Sequence, residues 1–419
     1  MAAPPSESTD IAVIGAGVMG TSVAYHLALR GERVLLLDKL GAAGGPSGAS
    51  AGMLRAHYED PAIVAVARYG CEFLADMLER TGSDPGFVNC GYLAVGEADR
   101  EPRILRAIEA MRSQGAVVEQ LDNAQIRALE PRLAAEALTI GAYEPTNGVC
   151  EPLFVADGFA RAAERLGARL SFGVRVTAVR PDGEGFRLIC ADGRHISAAR
   201  VAVCCGGFGP RLTRSLGGSL PVDLVRVQAG RFRPPFPFGP PGPIVSHHTL
   251  GVWLRPDGDD GHYLVGARAD FLGRGPYRAR SGQGGADQRE LDRLADLVAI
   301  VFPGAARGIF RGSWASWLDF TPDGNPVVDL VPRRPGLLLA SGMSGHAFKL
   351  CPALGLGAAE LLLDGEVHSF DWSPFRYDRF GRATAARPGV RSARSGSDPH
   401  VAGQTPSVRS GRAGRHDRH

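Results

Sequence analysis

The sequence predicts an α/β fold, α+β overall, in which a mainly parallel sheet is interrupted by a smaller antiparallel domain. Three observations predict it: a strand–turn–helix–strand unit over residues 11–38, a second alternating block over 153–207, and a strand–loop–helix unit over 337–365. At 419 residues the chain exceeds the usual size of a single hydrophobic core. Two domains are therefore expected.

The first unit carries a dinucleotide-binding pattern. Gly15, Gly17 and Gly20 fill the three positions of G-x-G-x-x-G after a short apolar strand. They allow a tight turn, a close approach of the backbone to a pyrophosphate, and close packing of a helix that begins near Ala16. Asp38, at the tip of the next strand, is placed to accept hydrogen bonds from ribose hydroxyls. An ordinary glycine turn is the alternative, but the flanking strands and the acidic residue favour a nucleotide.

The second block predicts further parts of the same sheet. Residues 156–166 have an amphipathic helix pattern, and turn signals separate two hairpin strands at 186–190 and 194–196. An apolar strand over 201–205 then runs into Gly206. A strand that ends on glycine suits a parallel sheet whose carboxyl end meets a ligand.

The last unit repeats this arrangement near the C-terminus. A strand over 337–340 leads into a glycine-rich loop over 341–349, and a helix is predicted over 353–363 with Pro352 suited to its first turn. In a flavoenzyme, the positive end of such a helix stabilises the negative charge of the reduced ring. A loop needed only for chain reversal is the alternative.

Two intervening stretches differ in character. Residues 84–147 and 220–320 have no parallel-sheet pattern, and the second contains extended segments around 252–254 and 263–265 with a helix pattern over 288–301. They predict an antiparallel sheet covered by a helix. This second domain is formed by two insertions into the first.

Composition and residue spacing indicate where the protein is expected to be located and whether it binds a metal. No apolar run is long enough to span a membrane, residues 1–10 lack a secretory h-region, and seven irregularly spaced cysteines fit a reducing compartment, so a cytoplasmic location is expected. No metal is expected, because the adjacent His247 and His248 have no third ligand in register.

The C-terminal segment carries most of the excess positive charge. Residues 381–419 hold eight arginines and two aspartates, so the net charge of +3 does not describe the rest of the chain. This tail is expected to stay disordered and, lacking aromatic residues, not to bind nucleic acid.

Lysine is almost absent from the chain. Of 47 lysines and arginines, only Lys39 and Lys349 are lysines. A compact ammonium and a planar guanidinium are not interchangeable in a tight site. Lys349 is therefore a candidate functional residue, with chance retention as the alternative.

Together these blocks resemble the FAD-dependent D-amino-acid oxidase superfamily, and within it the sarcosine oxidase and dimethylglycine dehydrogenase branch. Three segments carry the resemblance: GAGVMG with Asp38, SAGMLRAHY at 50–58, and TPDGNPVVDL to SGMSGHAFK at 321–349. It spans nearly everything from Asp10 to about Gly365. The resemblance implies a discontinuous, glutathione-reductase-type Rossmann FAD domain and an inserted antiparallel-sheet substrate domain. The implied boundaries are 8–83, 148–219 and 321–370 for the FAD domain, and 84–147 with 220–320 for the substrate domain.

The chemistry that the resemblance implies is oxidation of a C–N bond in a small amino acid. A hydride leaves the carbon beside the amine for flavin N5, and the imine is then hydrolysed. Arg55 matches a carboxylate-binding arginine and Lys349 a lysine of the same site, with His346 as a third catalytic candidate. A surface ion pair for Arg55 and a helix-start lysine for Lys349 are the alternatives. The residues expected to contact FAD are Gly15, Ala16, Gly17, Val18, Met19, Gly20, Asp38, Lys39, Ser50, Val176, Gly206, Gly342, Gly345, His346 and Ala347.

Two departures limit the resemblance. Ser316 stands where monomeric sarcosine oxidases attach FAD to a cysteine, so non-covalent FAD is expected. Similar enzymes also use a substrate-domain lysine to activate oxygen, and residues 220–320 contain none. Either an arginine such as Arg255 or Arg268 replaces it, or electrons pass to another acceptor. A dehydrogenase or a slow oxidase is therefore expected.

The main interpretation is an enzyme that oxidises a secondary or N-methylated amino acid, such as sarcosine, dimethylglycine or proline. Glycine or a D-amino acid is an alternative substrate. A catalytically silent flavin-binding assembly or regulatory protein is another alternative, since Gly52 replaces an arginine of similar oxidases, but Arg55 and Lys349 argue against it. The chain as one subunit of a larger complex is a further alternative.

Two tryptophans near Ser316 have two possible roles. Trp314 and Trp317 either line the flavin or substrate cavity or pack in the core.

Overall fold

The structure is a computed structural model that describes residues 7–258, 261–267 and 287–380. Two sequence-based expectations, the disordered tail at 381–419 and the role of Arg268, lie outside the described residues. The described strands, in chain order, are β1 (Glu7–Ile14), β2 (Val34–Asp38), β3 (Tyr92–Gly96), β4 (Glu119–Leu121), β5 (Ile140–Glu144), β6 (Arg169–Phe172), β7 (Val176–Asp182), β8 (Gly185–Cys190), β9 (His195–Val203), β10 (Asp223–Arg233), β11 (Ile244–His247), β12 (Val252–Pro256), β13 (Tyr263–Ala267), β14 (Ile309–Phe320), β15 (Val327–Leu330) and β16 (Leu337–Ser341).

Several of the α-helices carry proline at the first turn, where its missing amide costs nothing. Within the described residues, no helix combines the length and the apolar composition that a membrane crossing requires. The described helices are α1 (Val18–Leu29), α2 (Pro61–Ala75), α3 (Met77–Thr81), α4 (Glu101–Ser113), α5 (Asn123–Leu129), α6 (Pro152–Arg165), α7 (Gly209–Thr213), α8 (Gln288–Val301) and α9 (Ala347–Asp364).

The first sheet is mainly parallel. Its order is β15-β16-β9-β1-β2-β6, and β8 pairs with β9 and β7 in antiparallel fashion. The central strand β1 is parallel to both neighbours, with Ile14 opposite Leu37 on β2 and Val203 on β9. Such strands are nearly continuous apolar runs because both faces are covered. Helices α1, α6 and α9 cover one face in the largest apolar cluster of the described residues.

The second sheet is mainly antiparallel and has the order β14-β10-β13-β12-β11-β3-β5-β4. Among the described strand pairs of this sheet, only β11–β3 is parallel. Helix α8 packs on one face, where Leu294 and Val298 share an apolar cluster with Phe232 and Val265. The opposite face carries Tyr92, which belongs to the cluster of the first sheet. The two sheets therefore pack through a common core.

This mixture of a parallel and an antiparallel sheet confirms the predicted fold class. All described strands between residues 92 and 144 and between 223 and 320 belong to the second sheet. Naming the first sheet an FAD domain and the second a substrate domain stays a prediction.

Four predicted boundaries were wrong. Helix α6 begins at Pro152, four residues before the predicted start at residue 156. Helix α1 begins at Val18, after Gly17 as its N-cap, and not near Ala16. The hairpin strand at 194–196 and the apolar strand at 201–205 form one strand, β9, because β1 pairs along nearly its whole length. Helix α9 begins at Ala347, so Pro352 lies inside it and not in its first turn. Close packing compensates for the missing amide of this proline, since almost every side chain of α9 is buried.

Candidate active site

Four strand ends meet along one edge of the parallel sheet. β16, β9, β1 and β2 are neighbours in that order and run parallel, so their carboxyl ends lie side by side. The carboxyl edge of a parallel sheet is where ligands bind in this class of fold. The segments that follow these ends are the 342–349 loop, the 204–206 turn, the 15–20 turn and the residues after Asp38. Most of the predicted FAD contacts therefore share one edge, which spans three strand spacings or about 14 Å.

The glycine turn after β1 brings helix and strand closer than side chains allow. Gly15 adopts a φ of +108°, and a Cβ there would overlap the carbonyl group of Cys204. A Cβ at Gly20 would overlap the carbonyl oxygen of Gly15. Both glycines are therefore required by geometry, and the second fixes the distance between α1 and the turn.

The start of α1 faces a serine that sequence reasoning did not single out. The amide of Val18 donates to Ser47 Oγ at 3.1 Å. A Cβ at Gly17 would lie 2.8 Å from the same hydroxyl oxygen. Ala16 and Met19, the other predicted contacts of this turn, are buried on either side. A 12-residue helix thus points its positive end at the sheet edge, the arrangement that favours a phosphate.

Asp38 ties this turn to the strand beside it. Its Oδ2 accepts from the amide of Ala16 at 2.8 Å, and its Oδ1 accepts from the amide of Leu40 at 2.7 Å. Its carbonyl oxygen accepts from the amide of Val174, which brings Val176 at the start of β7 next to the same strand end. A carboxylate oxygen has more than one acceptor position, so these bonds leave capacity for ribose hydroxyls.

A serine hydroxyl joins the glycine segments after β9 and β16, and a buried aspartate binds the second of these segments. Ser341 Oγ donates to the carbonyl oxygen of Gly206 at 3.0 Å, and the amide of Gly342 donates to Asp319 Oδ2 at 2.8 Å. Asp319 lies on β14 of the second sheet and is 8% exposed. Burial raises the pKa of Asp319 to about 6, against the lowering effect of the Met343 and Gly342 amides. This contact links the two sheets at the candidate FAD edge.

The loop after β16 places His346 against a tyrosine. Gly345 adopts a φ of +79°, and His346 is the N-cap of α9, directly before Ala347. His346 Nδ1 and Tyr58 Oη lie 3.0 Å apart, with their rings edge to face at 5.2 Å. The proton in this bond belongs to either group, depending on the histidine tautomer.

Two cations share the ring of the same tyrosine. The guanidinium carbon of Arg55 lies 4.6 Å from the centre of the Tyr58 ring, and Lys349 Nζ lies 5.6 Å from it. Both distances are within the range of cation–π attraction. Arg55 also donates to the carbonyl oxygen of His57 at 2.7 Å. The structure thus brings Arg55, Lys349 and His346 together around Tyr58.

The cluster places two basic side chains, Arg55 and Lys349, in a buried position, and burial changes the pKa of each. Lys349 is 5% exposed, and burial together with the charge of Arg55 lowers its pKa well below the ordinary value. Burial also acts to lower the pKa of Arg55, but Tyr58, Tyr92 and Glu144 outweigh it and the pKa is raised. Among the residues that the structure describes, no carboxylate forms an ion pair with either cation. Two cations at one buried place are suited to bind an anion.

The position of Lys349 depends on a close helix contact. A Cβ at Gly70, in the middle of α2, would overlap the carbonyl oxygen of Lys349. On the other side of α9, Ser22 Oγ of α1 donates to the carbonyl oxygen of Cys351 at 2.8 Å. The first turns of α9 are therefore held between two helices.

The other residues singled out in the sequence lie nearby or on the second sheet. Lys39 is exposed, with Nζ 5.6 Å from the centre of the Phe208 ring. Ser50 Oγ accepts from the amide of Gly52, and Trp314 Nε1 donates to the carbonyl oxygen of Ala49 at 3.1 Å. Trp314 therefore contacts the segment between the glycine turn and Arg55.

Two further residues stand on the second sheet. Ser316, in the place of the expected cysteine, is buried. Arg255, a candidate substitute for the oxygen-activating lysine, donates to the carbonyl oxygen of Pro256 and lies 3.3 Å from Asp257. Burial lowers the pKa of Arg255, against the charge of Asp257.

Four site residues were missed in the sequence: Ser47, Tyr58, Glu144 and Asp319. Ser47 and Tyr58 lie in or beside the segment that carries the resemblance, so their neighbourhood was a usable signal. Glu144 and Asp319 reach the site from the second sheet. Asp319 lies two residues before the Thr321 segment that carries the resemblance, whereas nothing local in the sequence marks Glu144.

Comparison with known proteins identifies the family. The family described as "DAO: FAD dependent oxidoreductase" matches residues 10–361. The chain belongs to this family. Glycine oxidase of Geobacillus kaustophilus is 31% identical over 378 residues, which cover 88% of this chain and 97% of that protein. Monomeric sarcosine oxidase of Streptomyces avermitilis is 28% identical over 373 residues, covering 86% and 95%. The recognition of the sarcosine-oxidase-like branch and the expectation of an FAD-dependent oxidoreductase are confirmed.

Solved structures of the DAO type superpose on most of the chain. L-proline dehydrogenase of P. horikoshii matches with a TM-score of 0.80 at 23% identity, over 89% of this chain and 98% of that one. Glycine oxidase of Geobacillus kaustophilus matches with a TM-score of 0.77 at 27% identity, over 89% and 99%. The first likeness bears on the fold alone.

The residues at the sheet edge fit FAD. The helix start behind Gly17 suits a pyrophosphate, and the Asp38 carboxylate suits an adenosine ribose. The second glycine loop, at Gly342 and Gly345, begins a helix whose positive end lies beside the Arg55–Lys349 pair. The acceptor at Asp38 and the donors at the two helix starts therefore suit the two ends of an extended dinucleotide.

Proposed function

We propose that this DAO-family enzyme oxidises the C–N bond of a small secondary or N-methylated amino acid. The observation that carries the proposal is the pair of cations, Arg55 and Lys349, on one tyrosine ring beside the glycine loop of α9. A carboxylate is the group of an amino acid that such a pair would bind. The relatives named monomeric sarcosine oxidase and N-methyl-L-tryptophan oxidase support a substrate with a methylated nitrogen.

In this proposal the chain's residues bind and orient the substrate. The planar guanidinium of Arg55 offers paired donors to the carboxylate, and the Lys349 ammonium offers a compact charge on the same group. Tyr58 and His346, which share a hydrogen bond, border the same space and limit the entry of water. FAD, when bound, supplies the two-electron acceptor for the hydride. The amine would then point away from the cations, because like charge disfavours its approach to them.

FAD is proposed to be held without a covalent bond to residue 316, since a serine hydroxyl there has no thiolate chemistry. The electron acceptor after FAD is either oxygen or another molecule. Arg255 is a cation of β12 and is held by Asp257 and a backbone carbonyl. This arrangement favours a dehydrogenase or a slow oxidase over a fast oxidase.

Glycine is a second candidate substrate. The relative with 31% identity over 378 residues is named glycine oxidase, and the same Arg55–Lys349 pair would bind the glycine carboxylate. A methyl group on the nitrogen is the only difference between sarcosine and glycine, so a direct comparison separates the two candidates.

The test is the absorbance spectrum of the FAD-loaded protein without oxygen, before and after adding sarcosine, dimethylglycine, proline and glycine in turn. We expect the oxidised-flavin band to bleach with a secondary or methylated amine and much less with glycine. Bleaching by glycine alone would favour the second candidate. If FAD binds but no amine of the panel bleaches it, the catalytic proposal fails and a binding or assembly role gains support.

Readmitting air then separates the possible electron acceptors. Return of the oxidised band within seconds would identify an oxidase. Persistence of the bleached spectrum until an artificial acceptor is added would identify a dehydrogenase, or one subunit of a complex that contains the acceptor. We expect the second result.

A further inference from the structure

Glu144 is a buried carboxylate beside the Arg55–Lys349 pair that the proposed reaction does not use. It is the last residue of β5 and lies opposite Tyr92 of β3 in the second sheet. It is 1% exposed, which is rare for a carboxylate that is not in an ion pair. The neighbours of Glu144 must therefore stabilise this buried carboxyl group.

One oxygen of Glu144 is bound and the other is not. Oε2 accepts from the amide of Ala56 at 2.7 Å and from Asn147 Nδ2 at 2.6 Å. Oε1 is buried and accepts no hydrogen bond from any residue that the structure describes. A buried carboxylate oxygen without a donor costs free energy, so its charge must be compensated by something near it.

That compensation comes from the two cations. Ala56 directly follows Arg55, so the hydrogen bond to Oε2 holds the carboxylate against the backbone of the cation pair. Burial raises the pKa of Glu144 to about 7, and the Ala56 amide and the charges of Arg55 and Lys349 act against this rise by favouring the ionised form. Reciprocally, Glu144 favours the charged forms of Arg55 and Lys349. The interaction acts through space, because no ion-pair contact joins these groups among the described residues.

From these contacts we propose that Glu144 is the internal counter-ion of the Arg55–Lys349 pair, and that its negative charge opposes the binding of a substrate carboxylate. The inference rests on the proposed function, in which that pair holds the carboxylate. When Glu144 is ionised, its negative charge partly neutralises the positive potential of Arg55 and Lys349. When Glu144 is protonated, the full positive potential acts on a bound carboxylate. The affinity for a carboxylate is therefore higher when Glu144 is protonated.

Several groups other than Glu144 also titrate or carry charge around it. They come from the 55–58 segment, from helix α2, from strand β3 and from the first turn of α9. They are Arg55, His57, Tyr58, Cys71, Tyr92 and Lys349. Among them, Lys349 has a lowered pKa and would lose charge as the pH rises, which also weakens carboxylate binding. A useful experiment must therefore separate Glu144 from Lys349.

Glu144→Gln separates them. The glutamine keeps an oxygen acceptor for the Ala56 amide and removes the charge. The probe is acetate, titrated into the FAD-loaded protein by calorimetry at two pH values. At about pH 5.5, below the raised pKa of about 7 that burial gives Glu144, we expect the variant and the unchanged protein to bind acetate alike. At about pH 8 we expect the variant to bind about tenfold more tightly, the effect of one pKa unit of coupling.

The matched control is Glu119→Gln. Glu119 is an exposed residue of β4, the neighbour of β5, and lies opposite Tyr143. Removing this charge changes the net charge by the same amount, on a side chain that is exposed to solvent. We expect acetate affinity to stay within about twofold of the unchanged protein at both pH values, since exposed charges are screened.

A second variant keeps the inference testable if Glu144→Gln does not fold. Asn147→Ala removes a donor that favours the ionised carboxylate. The pH at which acetate affinity falls should then move upwards, with no charge removed from the site. An unchanged pH profile would overturn the inference.

Arg55→Gln distinguishes failure of the inference from failure of the proposed function. If Arg55→Gln weakens acetate binding and Glu144→Gln does not tighten it at about pH 8, the counter-ion role is wrong and the carboxylate site stands. If Arg55→Gln leaves acetate binding unchanged, the carboxylate site itself is wrong, and the inference falls with it.

Discussion

The nucleotide edge and the Arg55–Lys349 cluster are built in opposite ways. The part of the edge that suits the pyrophosphate and ribose is one contiguous unit, from the Gly15 turn to Asp38, whose backbone amides and carboxylate meet within a single strand–helix–strand segment. The cluster is assembled from side chains at 55–58, 144 and 346–349, which come from both sheets. Backbone geometry controls the first region and charge balance controls the second. Substitutions should therefore damage them through different mechanisms.

Gly20→Ala, at the nucleotide edge, should give the largest effect of the substitutions considered, a loss of FAD affinity. The added Cβ would overlap the carbonyl oxygen of Gly15 and push α1 away from the turn. We expect FAD affinity to fall about a hundredfold, measured from flavin absorbance per protein after reconstitution. The control is Gly45→Ala, where φ is −108° and nothing lies within 4 Å of the new carbon. Equal FAD content in both variants would contradict the geometric account of this turn.

The two lysines of the chain allow a direct comparison of the two regions. Lys349→Gln removes a charge from the substrate cluster and should lower kcat/KM by about thirtyfold, with FAD affinity unchanged. Lys39→Gln alters the rim of the nucleotide edge, where Nζ faces Phe208, and should change FAD affinity alone. Steady-state kinetics and FAD titration of both variants check this. If both lysines affect the same quantity, the separation of the regions is wrong.

Ser47→Ala should give the smallest effect. It removes the acceptor of the Val18 amide at the start of α1, a loss of about 1 kcal/mol in the free energy of unfolding. For a chain of this size the corresponding decrease in Tm is roughly 1–2 °C. Ser113→Ala is the control, because Ser113 Oγ donates to a carbonyl at the end of α4, away from the edge. Thermal unfolding with and without FAD would show whether the difference between the two variants grows when FAD is present.

Sequence patterns predicted the nucleotide edge well because its interactions are local. The glycine spacing, the strand before it and Asp38 lie within 28 residues, and each has a distinct conformational or hydrogen-bonding reason. The fold class followed from the same kind of evidence, since the apolar runs of β1, β9 and β16 are those of a parallel sheet.

The cluster was only half predictable. Arg55 and His346 were found through motif resemblance, Lys349 also through the scarcity of lysine, and their common contact with Tyr58 needed the three-dimensional structure. Glu144 carried no signal at all, because its partner Ala56 is 88 residues away. The start of α9 was misplaced for a related reason: Pro352 usually marks a first turn, and only packing against α1 and α2 lets the helix begin earlier.

The contact between Gly70 and Lys349 has a consequence for how this site can change over time. Because α2 touches the backbone of α9 at Lys349, a single methyl group added at Gly70 would displace this lysine without altering Arg55, Tyr58 or His346. If Lys349 binds the substrate as proposed, specificity is open to adjustment from a position on a neighbouring helix. Directed evolution that samples only pocket-lining residues would overlook it.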